Sequence, residues 1–82
     1  MDKLRCFVAV EYPDDPNVAG NIYWYLCEDE GVAVGDGVVA PLGRHNRLQQ
    51  GVVRRREMRL GRDAPYPLAG IKIINRVIKI KE

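Results

Sequence analysis

No stretch of this chain holds its apolar residues at the 3.6-residue spacing of a buried helix face, and eight glycines and five prolines break it at short intervals. Together these features leave little room for helix and point to short strands joined by tight turns. Leu4-Arg5-Cys6-Phe7-Val8-Ala9-Val10-Glu11 reads as a strand by composition and partial alternation. Pro13-Asp14-Asp15-Pro16-Asn17 is a loop, because proline lacks the N–H and pushes its neighbour out of the helical region. Residues 21–27 carry Tyr23-Trp24-Tyr25 and form the most aromatic strand candidate. Glu28-Asp29-Glu30-Gly31 is an acidic turn and Val32-Ala33-Val34 a short extended piece. Gly35-Asp36-Gly37 is a tight turn that needs positive φ at glycine. A strand over 38–42, a basic loop over 43–47 and a long strand over 48–58 follow. Residues 60–67 form a loop, one helical turn is expected over 67–70, and residues 71–80 close the chain as one or two strands. Five or six such strands predict an all-β fold, a small SH3-like or OB-like barrel with little helix, in which residues 1–82 form a single domain.

A chain of 82 residues holds one small core. Its apolar runs fall far short of the roughly 20 residues a membrane span needs. Asp2, Lys3 and Arg5 follow Met1 with no long apolar core behind them, so no leader peptide is expected. Cys6 and Cys27 sit inside apolar stretches and read as reduced core thiols of a cytoplasmic protein, with a disulfide between them as the alternative. A multidomain enzyme, a transporter and a disulfide-stapled secreted module are therefore not expected.

The net charge of +2 conceals an uneven distribution. Residues 1–41 carry two bases against eight acids, a net of −6, whereas residues 42–82 carry eleven bases against three acids, a net of +8. Such asymmetry points to a polyanion-binding surface. It is equally what a barrel shows when its two halves interleave and opposite charges face each other across strands.

Catalytic chemistry finds little support. The chain has no serine or threonine, which removes hydroxyl nucleophiles. His45 is the one histidine and lies in a basic loop, where a solvated side chain is the simpler reading than a general base. The two cysteines lack the further ligands of a zinc site. The acidic clusters at Asp14-Asp15 and Glu28-Asp29-Glu30 read as solvated turns before they read as cation sites. Gly35-Asp36-Gly37 lacks the lysine and following helix of a phosphate loop. No enzyme activity, cofactor or metal is expected.

A binding module remains. Arg44, His45, Arg47, Arg54, Arg55, Arg56, Arg59 and Arg62 fall within nineteen residues. On a strand Arg54, Arg55 and Arg56 must point to both faces in turn, and Tyr23 and Tyr25 share one face while Trp24 takes the other. Aromatic and arginine side chains on a small barrel suit single-stranded nucleic acid. The same aromatics also serve as ordinary core and cross-strand pairs.

The order of motifs adds to this. Tyr23-Trp24-Tyr25-Leu26 is followed by Gly35-Asp36-Gly37-Val38-Val39-Ala40-Pro41-Leu42-Gly43-Arg44, by Gly51-Val52-Val53, and by Ile71-Lys72-Ile73-Ile74-Asn75-Arg76-Val77-Ile78. From residue 5 to residue 80 this order resembles the N-terminal 3′-end DNA-binding domain of the primosomal protein N′ family of replication-restart helicases. That domain runs through an aromatic F-x-Y strand, G-x-x-V-x-V-P-F-G-[KR], G-[IV]-V and a closing L-K-x-[IV] strand. The resemblance implies a small β-barrel with a shallow pocket for a terminal nucleotide. It carries the pocket roles onto Tyr23, Gly43 and Lys72: an aromatic face for a base, a glycine for close backbone approach, and a lysine for phosphate. Trp24 stands where the family has an aspartate that hydrogen-bonds the terminal nucleotide, and indole cannot accept such a bond. Leu42 replaces the family phenylalanine. The resemblance covers the DNA-binding domain alone, so it implies no ATPase activity.

The expected function is a non-enzymatic nucleic-acid-binding module for single-stranded DNA or DNA ends, in a replication or mobile-element setting. Its candidate binding residues are Tyr23, Trp24, Gly43, Arg44, Lys72, Arg54, Arg55 and Arg56. Neither a membrane nor a small-molecule substrate is expected as a partner. The alternative is a protein–protein interaction domain that keeps the barrel and has lost the pocket.

Overall fold

The computed structural model describes residues 4–63 and 70–78. These residues hold six strands: β1 (Leu4–Glu11), β2 (Tyr23–Cys27), β3 (Gly37–Leu42), β4 (Arg47–Leu60), β5 (Lys72–Ile73) and β6 (Arg76–Ile78). Helix is confined to a 3-10 turn at Gly61–Asp63 and to Gly70, which is also 3-10, among the described residues. The all-β reading holds. No described helix is long and apolar enough to cross a membrane.

The strands form one curled sheet in the order β5-β2-β1-β4-β3-β6. β1 lies at its centre, antiparallel to β2 on one side and β4 on the other. This explains why its apolar run does not alternate cleanly. Cys6, Val8 and Val10 enter the main core with Tyr25, Cys27, Val38, Ala40, Val53 and Ile74. Phe7 and Ala9 are fully buried on the opposite face, where Leu26 pairs with Phe7. A strand covered on both faces reads as continuous hydrophobic sequence.

The long strand β4 serves two partners. Its first half pairs with β3, from Leu42↔Arg47 to Gly37↔Val52, and its second half pairs with β1. The β1 register shifts between Ala9, opposite Arg55, and Val10, opposite Val53, which leaves Arg54 as the extra residue of a bulge. Such a bulge bends its strand and increases the local twist, and here it helps the sheet to curl. Gly51 sits at the bend. A Cβ there would lie 2.6 Å from Val10 Cγ1 and 2.9 Å from the Glu11 carbonyl oxygen, so only glycine allows β1 and β4 to approach so closely.

The closing segment joins the two edges of the sheet. β5 runs parallel to β2, with Lys72 beside Tyr25 and Ile73 beside Leu26. Ile74 N–H then donates to Leu26 O at 2.9 Å and Asn75 N–H to Val39 O at 2.9 Å, after which β6 pairs with β3. The segment thus crosses from the β2 edge to the β3 edge. It makes the curled sheet barrel-like and covers strand edges that would otherwise be open to pairing.

Several local expectations need correction. Val32-Ala33-Val34 is not a strand. Val32 is buried, but Asp36 N–H bonds Ala33 O at 3.0 Å and Asp36 Oδ2 accepts from Ala33 N–H at 2.9 Å, closing a turn. Only Gly35 of the Gly35-Asp36-Gly37 turn has positive φ, at 97°, and Gly37 already belongs to β3. Asn21 and Ile22 precede β2, and β4 extends beyond 48–58 at both ends, taking in Leu60. The helical turn expected over 67–70 lies outside the described residues except for Gly70, which is 3-10, and the loop over 60–67 is described only to residue 63.

Candidate nucleic-acid interface

The aromatic strand divides as alternation requires. Tyr23 and Tyr25 share the core face, while Trp24 and Leu26 take the other. Tyr25 is 2% exposed and its hydroxyl donates to the Pro41 carbonyl at 2.8 Å. A phenol has one proton, so Tyr12, whose hydroxyl lies 2.6 Å away, is the donor to Tyr25. Burial pushes both phenols above the usual tyrosine range, which keeps the chain of donors intact at any ordinary pH. The Tyr12 ring also meets Tyr23, with centroids 6.0 Å apart and planes tilted by 57°. β2 is thereby tied through Tyr12 to the end of β1 and through Pro41 to the end of β3.

Pro41 leads directly into the turn over 43–46. Gly43 has φ of 79°, Asn46 has φ of 52°, and Asn46 N–H bonds Gly43 O at 3.2 Å. Among the described residues no atom beyond its chain neighbours lies within 4 Å of where a Gly43 Cβ would stand, so the glycine is there for its backbone conformation. From β5, Lys72 Nζ donates to the Gly43 carbonyl at 2.7 Å. Tyr23, Trp24, Gly43 and Lys72, with Leu42 and Val18, line one open cavity of about 390 Å³. Four of the candidate binding residues, drawn from three separate stretches of sequence, therefore surround one space.

The remaining candidates divide. Arg44 lines a neighbouring cavity with His45 and Arg47. Arg54, Arg55 and Arg56 lie on the half of β4 that pairs with β1, and they do not line the aromatic cavity. At the bulge, Arg54 Nε bonds Glu11 Oε1 at 2.8 Å, and that bond holds the Glu11 carboxyl below its ordinary range. Arg56 Nη2 donates to the Glu30 carbonyl at 3.0 Å. Arg55 is exposed, opposite Ala9 on the outer face. Part of the charge asymmetry is thus answered within the chain, with bases of the second half meeting the acidic first half.

Other polar features are structural. Asp15 Oδ1 accepts from Asn17 N–H and Asp29 Oδ1 from Gly31 N–H, each at 3.0 Å, so both acidic clusters include a turn-forming aspartate. Cys6 and Cys27 are buried and unbonded. They stand opposite each other on β1 and β2, and burial pushes both thiols up. Cys27 Sγ also donates to Asp29 O at 3.3 Å.

Sequence reading missed Tyr12 and the supporting role of Tyr25. The signal was present, because Tyr12 continues the even-numbered series Cys6, Val8, Val10 one step beyond the strand. Comparisons of the chain with protein-family models, with curated proteins and with solved structures found no match.

Proposed function

We propose that this chain is a non-enzymatic module that binds single-stranded DNA or DNA ends through the cavity between β2, β5 and the turn after β3. The observation that carries the reading is the convergence of Tyr23, Trp24, Gly43 and Lys72 around one open space. An aromatic ring offers a face to a base, a contribution worth about 1–3 kcal/mol in such sites. The open left-handed turn at Gly43 lets a ligand approach the backbone. Lys72 spends one of its three protons on the Gly43 carbonyl and has two left for a phosphate. The placement of these residues also agrees with the roles implied by the primosomal protein N′ resemblance.

Trp24 stands in this cavity where that family has an acceptor. The proposed ligand is therefore a strand held by stacking and charge, without discrimination for a free 3′ hydroxyl. A protein-interaction domain is the second reading. It is favoured by the engagement of Arg54 and Arg56 with Glu11 and with the Glu30 carbonyl, which reduces the field available to a polyanion.

A salt titration of oligothymidylate binding separates the two readings. Phosphate contacts make the logarithm of the binding constant fall by about 0.7 per contact for each unit in log salt. A steep slope supports the DNA reading. No binding at low salt leaves the protein-interaction reading.

A further inference from the structure

The aromatic cavity does not end at Gly43. A second cavity, of about 660 Å³, shares Val18, Leu42 and Gly43 with it. The two cavities adjoin at these residues, with the Gly43 turn as the saddle between them. Each is of a size that takes small ligands, which occupy roughly 300–1,000 Å³. Their chemistry differs. Beyond the saddle the walls bear Arg44, His45 and Arg47 in place of aromatic rings. Arg44 and Arg47 are exposed, and among the described residues neither forms an ion pair, in contrast to Arg54. Asp15 is the one carboxylate among the described residues of these walls, and its Oδ1 accepts from the Asn17 amide.

We infer that Arg44 and Arg47 form a phosphate subsite separate from Lys72, so that the full ligand of the groove is a strand of two or more nucleotides. This rests on the reading that the aromatic cavity takes a base. One nucleotide occupies the Tyr23–Trp24 side with its phosphate near Lys72. The backbone crosses Gly43, where no side chain obstructs it, and the next phosphate meets the two guanidinium groups. Arginine suits that position because its planar fork matches phosphate oxygens in pairs. Arg47 is fixed by its place at the start of β4, opposite Leu42. The arginines can sense the ligand's length because they line the second cavity and not the aromatic one.

Fluorescence anisotropy at low salt, with thymidine 5′-monophosphate and hexathymidylate competing against a labelled strand, tests this on the whole chain. The hexamer should bind at least about tenfold more tightly than the monophosphate, and Arg47→Ala should remove most of that gain while lowering the hexamer's salt slope by about 0.7. The same variant should leave monophosphate affinity unchanged, whereas Lys72→Ala should weaken both ligands. Equal affinity for the two ligands, or a hexamer slope unchanged by Arg47→Ala, overturns the subsite and leaves the aromatic cavity standing. Absence of binding by either ligand overturns the cavity reading, and the subsite with it.

Discussion

Lys72 Nζ donates a 2.7 Å hydrogen bond to the carbonyl oxygen of Gly43, joining the closing segment to the turn between β3 and β4 across the mouth of the cavity. The contact places a cation at the rim with no carboxylate paired to it among the described residues. It therefore serves two ends, holding the turn and presenting charge. Replacing Lys72 by alanine should weaken single-stranded DNA binding across all sequences and lower the salt slope by about one unit at most, because a lysine at phosphate acts mainly as charge. A sequence-dependent loss would contradict this role.

The aromatic rings make a different contribution. Tyr23→Ala or Trp24→Ala should cost about 1–3 kcal/mol of binding, with little change in salt slope, because stacking displaces few ions. A strand whose 3′ hydroxyl is blocked by phosphate should bind about as well as the unblocked strand, since Trp24 offers no acceptor. Strong preference for the free hydroxyl would show that another group has taken over the task of the family aspartate.

The tyrosine pair beneath the site gives an ordered stability prediction. Tyr25→Phe leaves both the Pro41 carbonyl and the Tyr12 hydroxyl without their partner, and each such buried loss costs about 1–3 kcal/mol. Tyr12→Phe removes only a donor to Tyr25, which keeps its bond to Pro41 and should lose about 0.5–1.5 kcal/mol. Urea unfolding of the two variants measures the order. A larger loss for Tyr12→Phe would contradict the central place of Tyr25 in this chain of hydrogen bonds.

The arrangement of strands was legible because β1 and β4 carry long apolar or extended runs between glycine and proline punctuation. The closing segment was legible as strand but not as a bridge, since nothing in its residues says that Lys72 meets β2 while Arg76 meets β3. The meeting of Tyr23, Gly43 and Lys72 at one cavity was legible through motif order. Arg54 and Arg56 misled because composition counts charge without showing that a bulge turns Arg54 to Glu11 and that Arg56 reaches the Glu30 carbonyl. Val32-Ala33-Val34 was legible as a short piece without helix but not as the entry to a turn, in which the Asp36 carboxylate captures the Ala33 amide.

The cysteines should remain thiols. Leu26 O accepts from Ile74 on the β5 side, so the backbone groups of Tyr25 and Cys27 point to β1. Cys6 and Cys27 therefore form a hydrogen-bonded cross-strand pair, and both are unbonded thiols. Burial also raises both thiols, which lowers the reactive thiolate fraction. Alkylation should be slow under native conditions and fast in denaturant. A non-reducing mass two daltons low, or rapid native labelling of both, would contradict this.

Glu11 links stability to acid. Its carboxyl sits below its ordinary value of 4.5, chiefly through the Arg54 hydrogen bond. A folded-state value depressed in this way contributes stability that is full above the unfolded value and is lost as pH falls through the folded one. Glu11→Gln should therefore flatten the acid limb of the unfolding profile below about pH 4.5 and should matter less in high salt, because the pair is exposed. An unchanged acid limb would leave the ion pair with no part in stability.

The cavity itself is tested most directly by mapping where a strand binds. Titration of the isotopically labelled chain with hexathymidylate at low salt should shift the backbone amides of Tyr23, Trp24, Gly43, Arg44 and Lys72 together, along with the Trp24 indole N–H. The amides of Arg54, Arg55 and Arg56 should move little, because two of those side chains are engaged with the acidic half of the chain. Shifts centred on Arg54, Arg55 and Arg56, or no shifts at saturating strand, would contradict the account.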